Sequence, residues 1–231
     1  MLQELFLLEE EKRNTPMLFL LGAVAVAVGF TAAYMFFPSE LALIAVVFSA
    51  VPLIFSLTRE FMKDEEEGLP HIPELKNYFS IFSGQASAFF AIAFLTEASF
   101  EPQRTVLGLS GAAVSDAGFQ TILLNNLGVF AAALLLALVI GSAGAFVLTW
   151  NASVLGVFLA EVASTDPFLA LAFIPHASLE MLGFITAGVA GTLMSAAIYR
   201  KHFDSETWID YLKLVLIGVA LIVIAAIVET A

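Results

Sequence analysis

The chain has 231 residues, of which 60% are hydrophobic and 13% charged, with a formal net charge of −12 and a mean hydropathy of +0.95. A soluble domain carries about 25% charged residues, and several apolar runs here are long enough to cross about 30 Å of hydrocarbon, so an ordinary soluble fold is excluded. The absence of cysteine excludes disulfides, thiolate nucleophiles and thiolate metal sites, and the lack of a basic stripe argues against nucleic acid as a partner.

The pattern predicts an all-α, polytopic integral membrane bundle of about seven membrane segments, one of them broken or re-entrant. The short alternating segments of a porin-like barrel are missing. Residues 1–14 read as an amphipathic cytoplasmic lead-in, with Leu2, Leu5, Phe6 and Leu8 able to lie on a bilayer surface; a frayed terminus would look the same. Their acidic, mixed character does not match a cleavable signal peptide. Residues 15–58 form the expected N-terminal hairpin. Its first span is Met17 to Phe37, its turn Pro38-Ser39-Glu40 with Ser39 as an N-cap, and its second span Leu41 to Leu57 with Pro52 inside. Residues 59–76 read as a cytoplasmic loop, turning at Gly68 to Pro73, with His71 a solvated side chain.

The remaining residues, 77–231, are expected to make a C-terminal bundle. Asn77 to Glu97 is its first span. Ala98 to Gln120 is a long polar connection holding Arg104, with room for a short surface helix. Thr121 to Trp150 is the next span, with Asn125 and Asn126 near its start and Trp150 placed as an interfacial anchor. Its Gly141-Ser142-Ala143-Gly144 patch suits close helix contact. Asn151 to Ile174 is apolar, yet it contains Glu161 and is interrupted by Ser164-Thr165-Asp166-Pro167. As helix, residues 152–163 would rise only about 18 Å, too little to cross, which predicts a broken span or a re-entrant hairpin. Ala177 to Tyr199 and Trp208 to Glu229 complete the set. The first of these carries Gly183, Ala187, Gly191 and Ser195 every four residues, a stripe that serves packing within the chain or, alternatively, a homodimer face.

Lysine and arginine placement orients the chain. Lys12 and Arg13, the basic residues of the 59–76 loop, and Arg200 with Lys201 all fall on one side if the broken segment crosses. This favours a multi-pass protein of the cell membrane with its N-terminus cytoplasmic.

Ionisable groups in a span are costly, so they are normally paired or face water. His176 and Glu180 stand four apart on one helix face, where they can meet. With Glu161, Asp166, Asn151, Asn125 and Asn126 they form a candidate polar centre. Three readings compete for it. A hydrogen-bonded clamp would pin the broken segment to the neighbouring helix. A transport or permeation site would use the broken helix's freed backbone groups, with the imidazole accepting protons. An intramembrane enzyme is the third, but zinc catalysis generally wants three protein ligands and no H-E-x-x-H occurs. The favoured reading is non-enzymatic, with no catalytic residue, metal or cofactor; the expected partners are the lipid bilayer and other membrane proteins or a second copy.

Asn125-Asn126, then Leu148-Thr149-Trp150-Asn151-Ala152-Ser153-Val154, then Pro175-His176-Ala177-Ser178-Leu179-Glu180 resemble the stage II sporulation protein M family. Phe36-Phe37-Pro38-Ser39-Glu40 and Val51-Pro52-Leu53-Ile54 are similar to its archaeal members, and Ala225-Ala226-Ile227-Val228-Glu229 continues the likeness to the last span. One departure is His176-Ala177, where the family usually has His-Gly. In spore-forming bacteria the namesake is a membrane anchor acting with peptidoglycan-degrading partners during engulfment. For this chain the resemblance implies a helical membrane component and leaves its partners open.

Overall fold

Runs of Ala, Leu, Val and Phe have only one way to satisfy their backbone groups away from water, which is to bond them within the segment as helix. A computed structural model describes residues 15–67, 72–96, 98, 100–106, 118–201 and 205–230, and contains no strand among them. The helices are α1 (Thr15–Phe36), α2 (Leu41–Glu67), α3 (Ile72–Leu95), α4 (residues 101–106), α5 (Phe119–Ile140), α6 (Gly144–Thr165), α7 (Pro167–Arg200) and α8 (Ser205–Thr230). Short 3-10 turns at Pro38–Glu40 and Gly141–Ala143 join α1 to α2 and α5 to α6.

Five stretches are long and apolar enough to cross a bilayer: Thr15–Phe36, Leu75–Leu95, Phe119–Thr165, Pro167–Arg200 and Ser205–Thr230. The all-α membrane architecture therefore holds. The expected seven segments do not map one to one onto these stretches. Pro38–Ile54 is a shorter apolar stretch, and the 47 residues of Phe119–Thr165 contain both α5 and α6.

The segment ahead of the expected break starts earlier than expected. Residues 152–163 belong to α6, which starts at Gly144 and at 22 residues is about 33 Å long, so this stretch is not a half-length piece. The chain also breaks before it, at Gly141, whose φ of 62° and ψ of −132° suit a residue without a Cβ. Trp150 consequently lies mid-helix, packed beside a buried cluster rather than anchoring an end. The second break, at Asp166-Pro167, is where it was expected. Asp166 Oδ1 accepts the backbone N–H groups of Phe168 at 2.9 Å and Leu169 at 3.1 Å, and Pro167 takes the first helical position, where its missing N–H costs nothing. Pro175 lies inside α7 rather than at its start.

Two further boundaries move. α2 runs on through Arg59 to Glu67, because Glu, Lys and Met sustain helix once it is nucleated, and with residues 72–76 in α3 most of the expected 59–76 loop is helical. α3 starts at Ile72, with Pro73 in its first turn. The lead-in 1–14, His71 and His202 lie outside the described residues.

The chain divides into two compact units, Met1–Leu53 with Ser80–Ala117 and Thr149–Pro175, and Ile54–Phe79 with Gly118–Leu148 and His176–Ala231. In the first, Val26, Ala42, Val46, Phe89, Phe100 and Val157 form a buried cluster. α1 and α3 cross where Gly22 and Gly84 meet the partner's backbone: a Cβ on Gly22 would land on the carbonyl of Ile81, and one on Gly84 on that of Phe19. In the second unit α5 packs along α8, and from Met181 to Ala197 every α7 residue except Leu182 and Ser195 is buried.

Candidate functional site

Polar side chains inside these units fall into two groups. In the first unit they gather on one face of α6. Thr149 and Ser153, one turn apart, are both fully buried. Thr149 Oγ1 donates to Gln85 Oε1 of α3 at 3.1 Å, and Gln103 Nε2 of α4 donates to Ser153 Oγ at 3.1 Å. Gln85 and Gln103 are themselves fully buried. Further along α6, Glu161 Oε1 accepts from Arg104 Nε at 2.6 Å, both side chains being well exposed.

These contacts dock α4, and Phe100 completes the docking. Its ring stacks on Phe30 at 6.2 Å and meets Phe89 edge-on at 6.3 Å. The start of the polar connection is thus a short helix, exposed along most of its length, that Phe100 and Gln103 tie to the first unit. Phe100 and Gln103 stand three apart, so one short turn aims an aromatic and an amide inward while Arg104 reaches out. That spacing is the signal that could have found it; Gln85, Gln103, Thr149 and Ser153 were not part of the expected polar centre. Asn151 lies partly buried on the same helix, and Asp166 is spent on capping α7.

The second group lies where α5, α7 and α8 meet. Asn126, buried on α5, donates from Nδ2 to Glu180 Oε1 on α7, and Asn125 Nδ2 in turn donates to Asn126 Oδ1 at 3.3 Å. Glu229 of α8 is within electrostatic reach of Glu180. His176 is partly buried one turn before Glu180. A hydrogen bond of this kind, to a largely buried carboxyl group, is worth about 0.5–1.5 kcal/mol by general experience. Among the described residues no three of His, Asp and Glu converge closely enough to share a metal ion.

Glycines let these helices close on one another. A Cβ on Gly191 would overlap the carbonyl of Leu134 and sit 2.7 Å from Ala137 Cβ on α5. On Gly183 it would sit 2.7 Å from Ile222 Cδ1 on α8, and on Gly218 it would overlap Thr186 and Phe130. On Gly144 it would meet the Ala133 carbonyl at 2.9 Å. Ala187 is fully buried, Ser195 is partly exposed, and Gly141 serves the turn.

Of the expected centre, then, Asn125, Asn126, His176 and Glu180 belong to the second unit, and Asn151, Glu161 and Asp166 to the first. The second group includes two stretches that carry the family resemblance. A family model described as stage II sporulation protein M matches residues 17–231, nearly the whole chain. The chain belongs to the stage II sporulation protein M family. No curated protein and no solved structure matches it. In this stage II sporulation protein M member, the quoted motifs have local explanations. Asn126 and Glu180 bond to each other, while Thr149 and Ser153 supply the hydroxyl face of α6.

Proposed function

We propose that this multi-pass membrane protein is a non-enzymatic assembly component of the cell membrane, with its N-terminus cytoplasmic and other membrane proteins as its partners. The observation that supports this reading is the use made of α7. Its carboxylate Glu180 is engaged by Asn126 of α5, and its glycines are engaged by α5 and α8. A helix held in this way is a fixed post that sets the register of its neighbours. Ion or proton paths instead need groups that face water and exchange partners. The small-residue stripe is taken up within the chain, so a partner or second copy would bind on other faces.

A transporter or channel is the second reading, and Glu229 is the observation that favours it. A clamp needs one carboxylate for Asn126, whereas here a second stands within electrostatic reach, with His176 one turn away. An intramembrane enzyme acting on lipid head groups, with His176 as base, ranks below both.

Flux in proteoliposomes separates the two, using imposed proton and cation gradients. The assembly reading expects wild type to leak no faster than protein-free vesicles, and the H176A and E180Q variants to differ in stability alone. Gradient-driven flux in wild type that disappears in folded E180Q would overturn it.

A further inference from the structure

The α3–α4–α6 layer has hydrogen-bonding capacity that its own side chains do not use. Gln85 Nε2 and Gln103 Oε1 are buried without a hydrogen-bond partner among the described residues. One is a donor and the other an acceptor. Both belong to side chains that grip hydroxyls on the same face of α6, Thr149 and Ser153, whose Cβ atoms at i, i+4 spacing lie about 6 Å apart.

Turning the amides over does not remove the mismatch. Ser153 Oγ donates its own proton to the carbonyl of Trp150 at 2.7 Å, so it can only accept from Gln103, and the oxygen of Gln103 stays unmatched. Flipping Gln85 would exchange an unmatched donor for an unmatched acceptor. Buried amide groups of this kind are normally satisfied, by protein or by internal water.

We propose that Gln85 and Gln103 hold ordered water inside the first unit. A water molecule there accepts from Gln85 Nε2 and donates to Gln103 Oε1, directly or through a second water, completing a chain from Thr149 through both glutamines to Ser153. The chemistry suits water rather than an ion: all four side chains are uncharged, and the adjacent Arg104 is engaged by Glu161. Gly22 of α1 brings backbone against Gln85, and Gln85, Gln103 and Phe100 are all fully buried, which suits an internal water.

The chain contains four glutamines, Gln3, Gln85, Gln103 and Gln120, so labelling glutamine with nitrogen-15 at both nitrogens gives an assignable spectrum. Q3N and Q120N variants identify two residues by elimination and leave the inner layer untouched. Solid-state NMR of the full chain in lipid bilayers then measures magnetisation passing from water protons to each nitrogen. The expected result is faster build-up at the side-chain amides of Gln85 and Gln103 than at the helical backbone amides of the same residues. Build-up no faster than backbone at either side chain overturns the assignment. Because the comparison is internal to the wild-type inner layer, no destabilising substitution is needed.

Discussion

Asn126 of α5 donates its side-chain amide to Glu180 of α7, joining two residues 54 positions apart across a seam where Gly191 also lies against Leu134 and Ala137. Glutamine at position 180 keeps the accepting oxygen in place, whereas leucine at 126 removes the donor and leaves a carboxylate in apolar surroundings. E180Q is therefore expected within about 1 kcal/mol of wild type, and N126L about 1–3 kcal/mol less stable. Denaturant unfolding in mixed micelles measures both. If N126L unfolds at the wild-type midpoint, the bond contributes nothing to the seam.

Glycine positions separate packing from propensity. Gly191 and Gly218 lie where a Cβ would overlap the next helix, so G191A and G218A are expected to cost about 1–3 kcal/mol through forced helix separation. Gly128 is also helical, but nothing lies within 4 Å of its ideal Cβ. G128A is expected to be neutral or stabilising, by up to about 1 kcal/mol, because alanine loses less backbone freedom on folding. The same unfolding assay ranks the three. Equal losses at 128 and 191 would refute close packing at the α5–α7 seam.

The helical membrane architecture was readable in the sequence because hydrocarbon leaves the backbone so few alternatives. Helix ends were less so. α2 outran its apolar stretch because helix, once started, continues through Arg59 to Glu67 regardless of hydropathy. The glycines at 141 and 144 looked alike as small residues, yet one is used for its φ and the other for its missing Cβ. Asn126 and Glu180 were both picked out, since polar groups in apolar runs are conspicuous. Gln85, Thr149 and Ser153 were left out of the expected centre because amides and hydroxyls are also ordinary at surfaces, and only the packing of α3 and α4 on α6 makes them buried. α4 itself was obscured by its composition: one aromatic, Phe100, inserts a segment that otherwise looks like loop.

Gly141 is expected to be the least replaceable glycine for conformational reasons. Its φ of 62° with ψ of −132° is a region that side chains with a Cβ rarely adopt, at a cost of about 1–3 kcal/mol. G141A should either lower stability by that amount or straighten the α5–α6 junction. Spin labels on exposed Leu135 of α5 and exposed Phe146 of α6 report which occurs, since straightening would lengthen the distance between them. An unchanged distance at wild-type stability would show that the turn does not depend on glycine.

Arg104 and Glu161 form a tight pair at 2.6 Å, but both side chains remain over 40% exposed, so solvent screens most of the attraction. Glu101 adds a weaker contact to the same guanidinium at 3.9 Å, which shares the charge further. A double-mutant cycle with R104Q and E161Q is expected to give a coupling energy below about 1 kcal/mol, falling with added salt. Phe100 should matter more, because F100A removes a buried ring packed against Phe30 and Phe89, a change that costs about 3–5 kcal/mol in well-packed interiors. If the charged pair instead proved the larger of the two, α4 would be held by its electrostatic latch and not by its inserted ring.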